Sequence, residues 1–97
     1  MILKSLLKIK LRMSLMSDVQ VFLTKLGIYL IAQLEQLDEE PSCYLKNIYQ
    51  ITEDDEVVLT KWPKYTAQND SLFFLEDFVT MVEPSPAVLD KYKEIIS

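Results

Sequence analysis

The sequence predicts one α+β domain: a long N-terminal helix, a central β-hairpin or small antiparallel sheet, and one or two C-terminal helices. Apolar residues recur at helical spacing over residues 17–38, β-branched and aromatic residues are concentrated in residues 44–62, and a capped amphipathic segment ends the chain. The chain has 97 residues, 49% of them hydrophobic and 26% charged, which suits one globular domain.

The first predicted element is a helix from Ser17 to about Asp38. Ser17 and Gln20 have the spacing of a capping box. Gly27 in mid-helix predicts the close approach of another backbone, and Pro41 ends the helix. Apolar residues recur every three or four positions after the cap, and others widen the apolar surface: Val19, Phe22, Leu23, Leu26, Leu30, Leu34 and Leu37, then Val21, Ile28, Tyr29 and Ile31. The excess predicts burial on more than one side.

Residues 44–51 and 57–62 predict two strands, joined by an acidic hairpin turn at residues 52–56. Pro63 ends the second strand or places it at a sheet edge, because proline cannot donate to a ladder. Residues 71–83 fit either a third strand or a helix capped by Asp70, and we favour the helix.

The last predicted element is a C-terminal amphipathic helix. Ser85 is a suitable N-cap, and Pro86 stands at the first helical position, where its missing donor costs nothing. Val88, Leu89 and Tyr92 begin its apolar face.

Charge divides the chain into two parts. Residues 1–16 hold four basic residues and no acid, a basic amphipathic lead with a net charge of +4. Residues 17–97 hold six lysines and all fifteen acidic residues, so this α+β domain has a net charge of −9. The lead suits an anionic membrane surface or a partner protein, or is a dispensable extension of the domain. Apart from the lead, nothing in the sequence favours membrane binding.

The composition argues against catalysis and cofactors. The chain has no histidine, one cysteine and one glycine, the residues behind most metal sites, general bases, nucleophiles and phosphate loops. The acidic run at residues 53–56 lacks the alternating spacing and central glycine of a calcium loop. We therefore predict a non-enzymatic protein without a metal or cofactor. The single cysteine favours a reducing, cytoplasmic compartment.

These observations predict a small acidic protein that binds another protein with a basic groove and modulates it, in the simplest case by inhibition. Phage or mobile-element factors and immunity-type proteins often share this size and acidity. A net charge of −9 argues against nucleic acid as the partner. The alternative is a structural subunit or homodimer that pairs through the over-apolar first helix. The candidate contact residues are two acidic groups and two aromatics: Asp38, Glu39 and Glu40; Glu53, Asp54, Asp55 and Glu56; Trp62 and Tyr65.

Overall fold

The computed structural model describes residues 18–36 and 42–97. Within these ranges the chain forms six antiparallel strands and one α-helix. The strands are β1 (Val19–Thr24), β2 (Tyr29–Gln36), β3 (Ser42–Glu53), β4 (Val57–Lys61), β5 (Ser71–Phe74) and β6 (Phe78–Val82). A 3-10 turn (Leu75–Asp77) joins β5 to β6, and helix α1 (Pro86–Ile96) follows.

The sheet closes on itself through β5 and β6. The strand order is β4-β3-β2-β1-β6, and β5 pairs separately with β3. Residues Ser42 to Leu45 of β3 pair with β5, whereas Tyr49 to Glu53 pair with β4 on the same edge. Because only the 3-10 turn separates β5 from β6, one continuous segment links the edge of β3 to the edge of β1. The result is a small barrel extended by the β3–β4 hairpin.

A bulge at Asn47 bends β3 between its two partners. Ile31 pairs with Tyr49, but two residues further along β2 the partner of Gln33 is Lys46, so β3 contains one extra residue. Asn47 has a φ of 51°, in the left-handed region that asparagine tolerates better than most residues. The bend turns the first half of β3 toward β5.

The sheet buries apolar side chains on both faces. Inside the barrel lies one buried cluster: Phe22, Leu30, Ala32, Cys43, Leu45, Ile48 and Phe78. Helix α1 covers the outer face, where a second cluster contains Val19, Val21, Ile31 and Tyr92. The first two strands therefore contribute to two cores, one on each side of the sheet.

The predicted fold class is wrong at its first element, because residues 19–36 form a β-hairpin and not a long helix. Val21 contacts the outer core and Phe22 the inner core, so apolar residues occur on both faces and also match helical spacing. Gly27 lies in the turn with a φ of 89°, and no atom stands within 4 Å of where its Cβ would be. The backbone conformation of the turn therefore explains why a glycine stands here, and close packing against another segment does not. The alternative prediction, a homodimer that pairs through this helix, therefore has no helix to pair through.

The helix favoured for residues 71–83 is also wrong, because this segment contains β5, the 3-10 turn and β6. Pairing with β3 and β1, which lie far away in sequence, selects the strand conformation. Two other local predictions are confirmed, the β-hairpin within residues 44–62 and the C-terminal helix capped by Ser85. Glu53 pairs with Val57 in the β3–β4 hairpin, and the Ser85 side chain accepts a hydrogen bond from the Val88 N–H at the start of α1.

Several predicted features lie outside the described residues. They are the basic lead at 1–16, the cap residue Ser17, and the acidic residues Asp38, Glu39 and Glu40. In the part of the chain that the structure describes, no helix has the length and apolar character needed to cross a membrane.

Candidate functional site: an aromatic groove

An apolar groove lies at one end of the barrel, between the β1–β2 turn and β5. Its volume is about 430 Å³. Most of its lining is apolar or aromatic, with one residue of each charge: Thr24, Lys25, Leu26, Ile28, Trp62, Leu72, Phe73 and Asp77. Residues from three separate parts of the chain meet here. They do so because β5 pairs with the part of the β3 edge that β4 does not occupy.

A chain of aromatic contacts connects the groove to the inner core. The ring centroids of Trp62 and Phe73 are 5.7 Å apart, those of Phe73 and Phe78 are 5.2 Å apart, and those of Phe78 and Phe22 are 5.0 Å apart. Such tilted pairs stabilise a fixed ring arrangement beyond the effect of their buried area. The aromatic wall of the groove is therefore anchored in the core.

The opposite wall of the groove is the β1–β2 turn, which is held in place by hydrogen bonds. The Thr24 hydroxyl donates to the Ile28 carbonyl oxygen at 3.2 Å, and the Lys25 N–H donates to the Asp77 carbonyl oxygen at 3.0 Å. These bonds present Leu26 at the rim with 88% of its surface exposed. A large aliphatic side chain in this position contributes little to folding and remains available for contact with another molecule.

The loop from Trp62 to Asp70 is ordered by the Lys61 ammonium group. The Lys61 Nζ donates to the carbonyl oxygens of Pro63 at 3.0 Å, Thr66 at 2.6 Å and Gln68 at 2.7 Å. The Asn69 side chain also donates to the Trp62 carbonyl oxygen at 3.3 Å. The Lys61 side chain therefore holds three parts of this loop together.

The structure separates most of the contact residues predicted from sequence. Trp62 lines the groove, but Tyr65, which is fully exposed on the loop, does not. The acidic residues at positions 53–56 are exposed at the hairpin turn, where the Lys91 Nζ lies 3.8 Å from a Glu56 carboxylate oxygen. This turn and Trp62 stand at opposite ends of β4, roughly 15 Å apart along an extended strand.

Sequence reasoning missed the groove residues Leu26, Ile28, Leu72 and Phe73. Leu26 and Ile28 flank Gly27, and a glycine between two β-rich runs is the available signal for a turn at that point. No local pattern identifies Leu72 and Phe73 as their neighbours, because strand pairing brings them to this end of the barrel.

The groove is lined mainly by apolar and aromatic side chains. Among residues 18–36 and 42–97, no group of three metal-ligating side chains comes together. The one cysteine, Cys43, is buried in the inner core, and burial together with the nearby Asp77 carboxylate raises the pKa of its thiol. A buried thiol with a raised pKa is a poor nucleophile near neutral pH.

The profile of DUF6561, a family of unknown function, matches residues 17–97. The chain belongs to the DUF6561 family. The matched region contains every described residue, so the barrel, helix α1 and the groove all lie within the DUF6561 domain. A comparison with curated proteins gives no match.

Proposed function

We propose that this DUF6561 protein is a small acidic module that binds a segment of another protein in the aromatic groove. Binding modulates the partner, most simply by blocking the surface that the module covers. The proposed role is non-catalytic. The observation that carries it is the meeting of the exposed Leu26 with the anchored Trp62 and Phe73 around one groove.

The groove combines two properties of protein-binding hot spots. Its aromatic wall is held in place before binding, which reduces the entropy lost when a partner is bound. Its rim exposes Leu26 and Leu72, and burial of one such side chain contributes about 1.5–3 kcal/mol. An apolar or aromatic anchor of the partner would therefore gain most of its affinity here.

The negative charge supports a partner with a basic surface. Residues 17–97 have a net charge of −9, and the exposed hairpin turn holds four adjacent acids at positions 53–56. Because this turn is distant from the groove, we propose that its acidic residues attract the basic partner over a long range and do not anchor it. Such charges raise the association rate and lose their effect as salt rises.

The proposal is tested by affinity capture from the organism that makes the protein, with the full chain as bait. Leu26→Asp places a charge in the groove rim at an exposed position, so it removes binding without altering the core. Val58→Asp is the matched control, because Val58 is a partly exposed aliphatic residue on β4 that does not line the groove.

The expected result is one partner that both the native chain and Val58→Asp retain and that Leu26→Asp loses. Retention of that partner by Leu26→Asp would overturn the groove as its binding site. Repetition at low and high salt separates the two contributions. Loss of the partner from the native chain at high salt indicates acidic steering, whereas capture that does not depend on salt indicates that the apolar contact in the groove dominates.

A further inference from the structure

Strand β6 is an edge strand with an unusually apolar exposed surface. Among the described residues, β1 pairs with one of its edges and no strand pairs with the other. Val79 is 64% exposed, Met81 40% and Val82 48%, whereas only Phe78 is buried. An unpaired edge with apolar side chains is a template for pairing with another extended segment.

The strand lacks the charged residues and the proline by which proteins often protect an edge, although it contains a bulge at Val79. Residues 78–82 contain no lysine, no proline and no charged side chain of any kind. The first proline after the strand is Pro84, two residues beyond its end. Among the described residues, no strand pairs with the N–H and C=O groups on this edge of β6, and an incoming strand would pair with these groups.

Acidic residues stand at both ends of this strand. Glu76 and Asp77 immediately precede it, and Glu83 follows it. The basic residue next to its start, Lys25, lines the groove at the neighbouring turn. An edge with an apolar centre and two acidic ends is complementary to an extended segment that has an apolar centre and lysine or arginine at both ends.

We propose that β6 is a strand-addition site for an extended segment of another protein that has apolar residues in its centre and basic residues at both ends. The segment pairs with the free backbone edge of β6 and covers Val79 and Met81. The site goes beyond the proposed function, because the side chains of β6 itself do not line the groove, although Asp77 before its start does.

A second copy of this chain is a poorer occupant of the same edge. Symmetric antiparallel pairing of two β6 strands about Thr80 places Asp77 of each copy opposite Glu83 of the other. Like charges directly opposite each other destabilise a strand pair. The charges therefore favour a basic segment from a different protein.

The experiment uses two short fluorescein-labelled peptides of alternating valine and threonine, one with lysine pairs at both ends and one with glutamate pairs. Fluorescence anisotropy measures their binding to the full-length protein, and hydrogen exchange locates the protected amides. The expected result is binding of the lysine-ended peptide with new protection in residues 78–82, and about tenfold weaker binding of the glutamate-ended peptide.

Two variants separate this site from others. Val79→Lys, at an exposed position, is expected to weaken the binding of the lysine-ended peptide about tenfold. Glu83→Lys is expected to reduce the difference in affinity between the two peptides. Leu26→Asp tests the groove independently and is expected to leave this binding unchanged. Failure of the lysine-ended peptide to bind, or loss of its binding only in Leu26→Asp, would overturn the proposal. A concentration-dependent dimer in sedimentation that Val79→Lys dissociates would assign the edge to a second copy instead.

Discussion

The phenol of Tyr92 donates a 2.8 Å hydrogen bond to the carbonyl oxygen of Asn47, the residue at which β3 bends. Tyr92 belongs to α1 and is completely buried, so the helix contacts the barrel at the bulge itself. The Asn47 N–H donates to a carboxylate oxygen of Asp70, and its side chain donates to the Gln33 side chain. The bend is thus held by contacts from three other segments of the chain.

Removing the Tyr92 hydroxyl is expected to destabilise the whole domain. Tyr92→Phe keeps the ring in the outer core but leaves the Asn47 carbonyl oxygen without this donor, at a cost of about 1–2 kcal/mol. Urea unfolding measures the change in the free energy of unfolding. Tyr65→Phe, at a fully exposed position, is the control and should change stability by less than about 0.5 kcal/mol. Equal stability of the two variants would contradict the role given to this hydrogen bond.

The φ of Asn47 predicts an order between two substitutions. Glycine adopts a φ of 51° without steric cost, whereas alanine pays about 1–2 kcal/mol in the left-handed region. Both lose the side-chain hydrogen bond to Gln33. We therefore expect Asn47→Gly to be less stable than the native chain but more stable than Asn47→Ala by about 1 kcal/mol. Thermal unfolding tests the order, and the reverse order would show that the bend does not require the left-handed conformation.

Asp18 predicts a pH-dependent difference in stability. Burial raises the pKa of its carboxyl above the ordinary value, and its buried Oδ1 atom has no hydrogen-bond partner among residues 18–36 and 42–97. The pKa of the Asp18 carboxyl is higher in the folded state than in the unfolded state. Its protonation therefore stabilises the fold fully below the unfolded pKa of 3.8, and this stabilisation is lost as the pH rises through the folded pKa.

The corresponding variant, Asp18→Asn, is neutral at every pH. It is expected to exceed the native protein in stability at pH 7, and this advantage should disappear below about pH 4. Chemical unfolding across this pH range measures the difference in the free energy of unfolding between Asp18→Asn and the native protein. Glu94→Gln removes one carboxylate in the same way on the exposed face of α1 and is the control. An advantage that grows as the pH falls would contradict the assigned direction.

Lys61 predicts the behaviour of the loop beside the groove. Lys61→Met keeps the aliphatic stem but removes three hydrogen bonds to the loop carbonyls, so we expect a loss of about 1–2 kcal/mol and faster hydrogen exchange across residues 62–70. Lys64→Met removes the same charge at an exposed position and is the control. Indistinguishable exchange in the two variants would show that the ammonium group does not order the loop.

The parts of the fold that the sequence predicts correctly are those governed by local rules. Ser85 and Pro86 define the start of α1 through capping, and the β3–β4 hairpin follows from two β-rich runs around a polar turn. The β1–β2 hairpin escapes such rules, because Val21 and Phe22 face two different cores and alternation disappears. In that situation the helical and strand patterns coincide.

The candidate site was predicted only in part for a similar reason. Trp62 is identifiable because a tryptophan beside a proline and two lysines is conspicuous in any sequence. Its neighbours Leu26 and Leu72 come from other elements: Leu26 from the β1–β2 turn, and Leu72 from β5, which pairing with β3 places here. Closure of the barrel through residues 71–82 is a long-range event that no local pattern indicates.

The central claim is that the groove beside Trp62 contacts another protein, and site-specific photo-crosslinking tests it most directly. A photoreactive amino acid replaces Leu26 in the full chain, and a control chain carries it in place of Val58. Both are irradiated in the cells that make the protein. We predict one discrete crosslinked partner from position 26 that is missing from position 58. An equal yield from both positions, or no product from position 26, would contradict the claim.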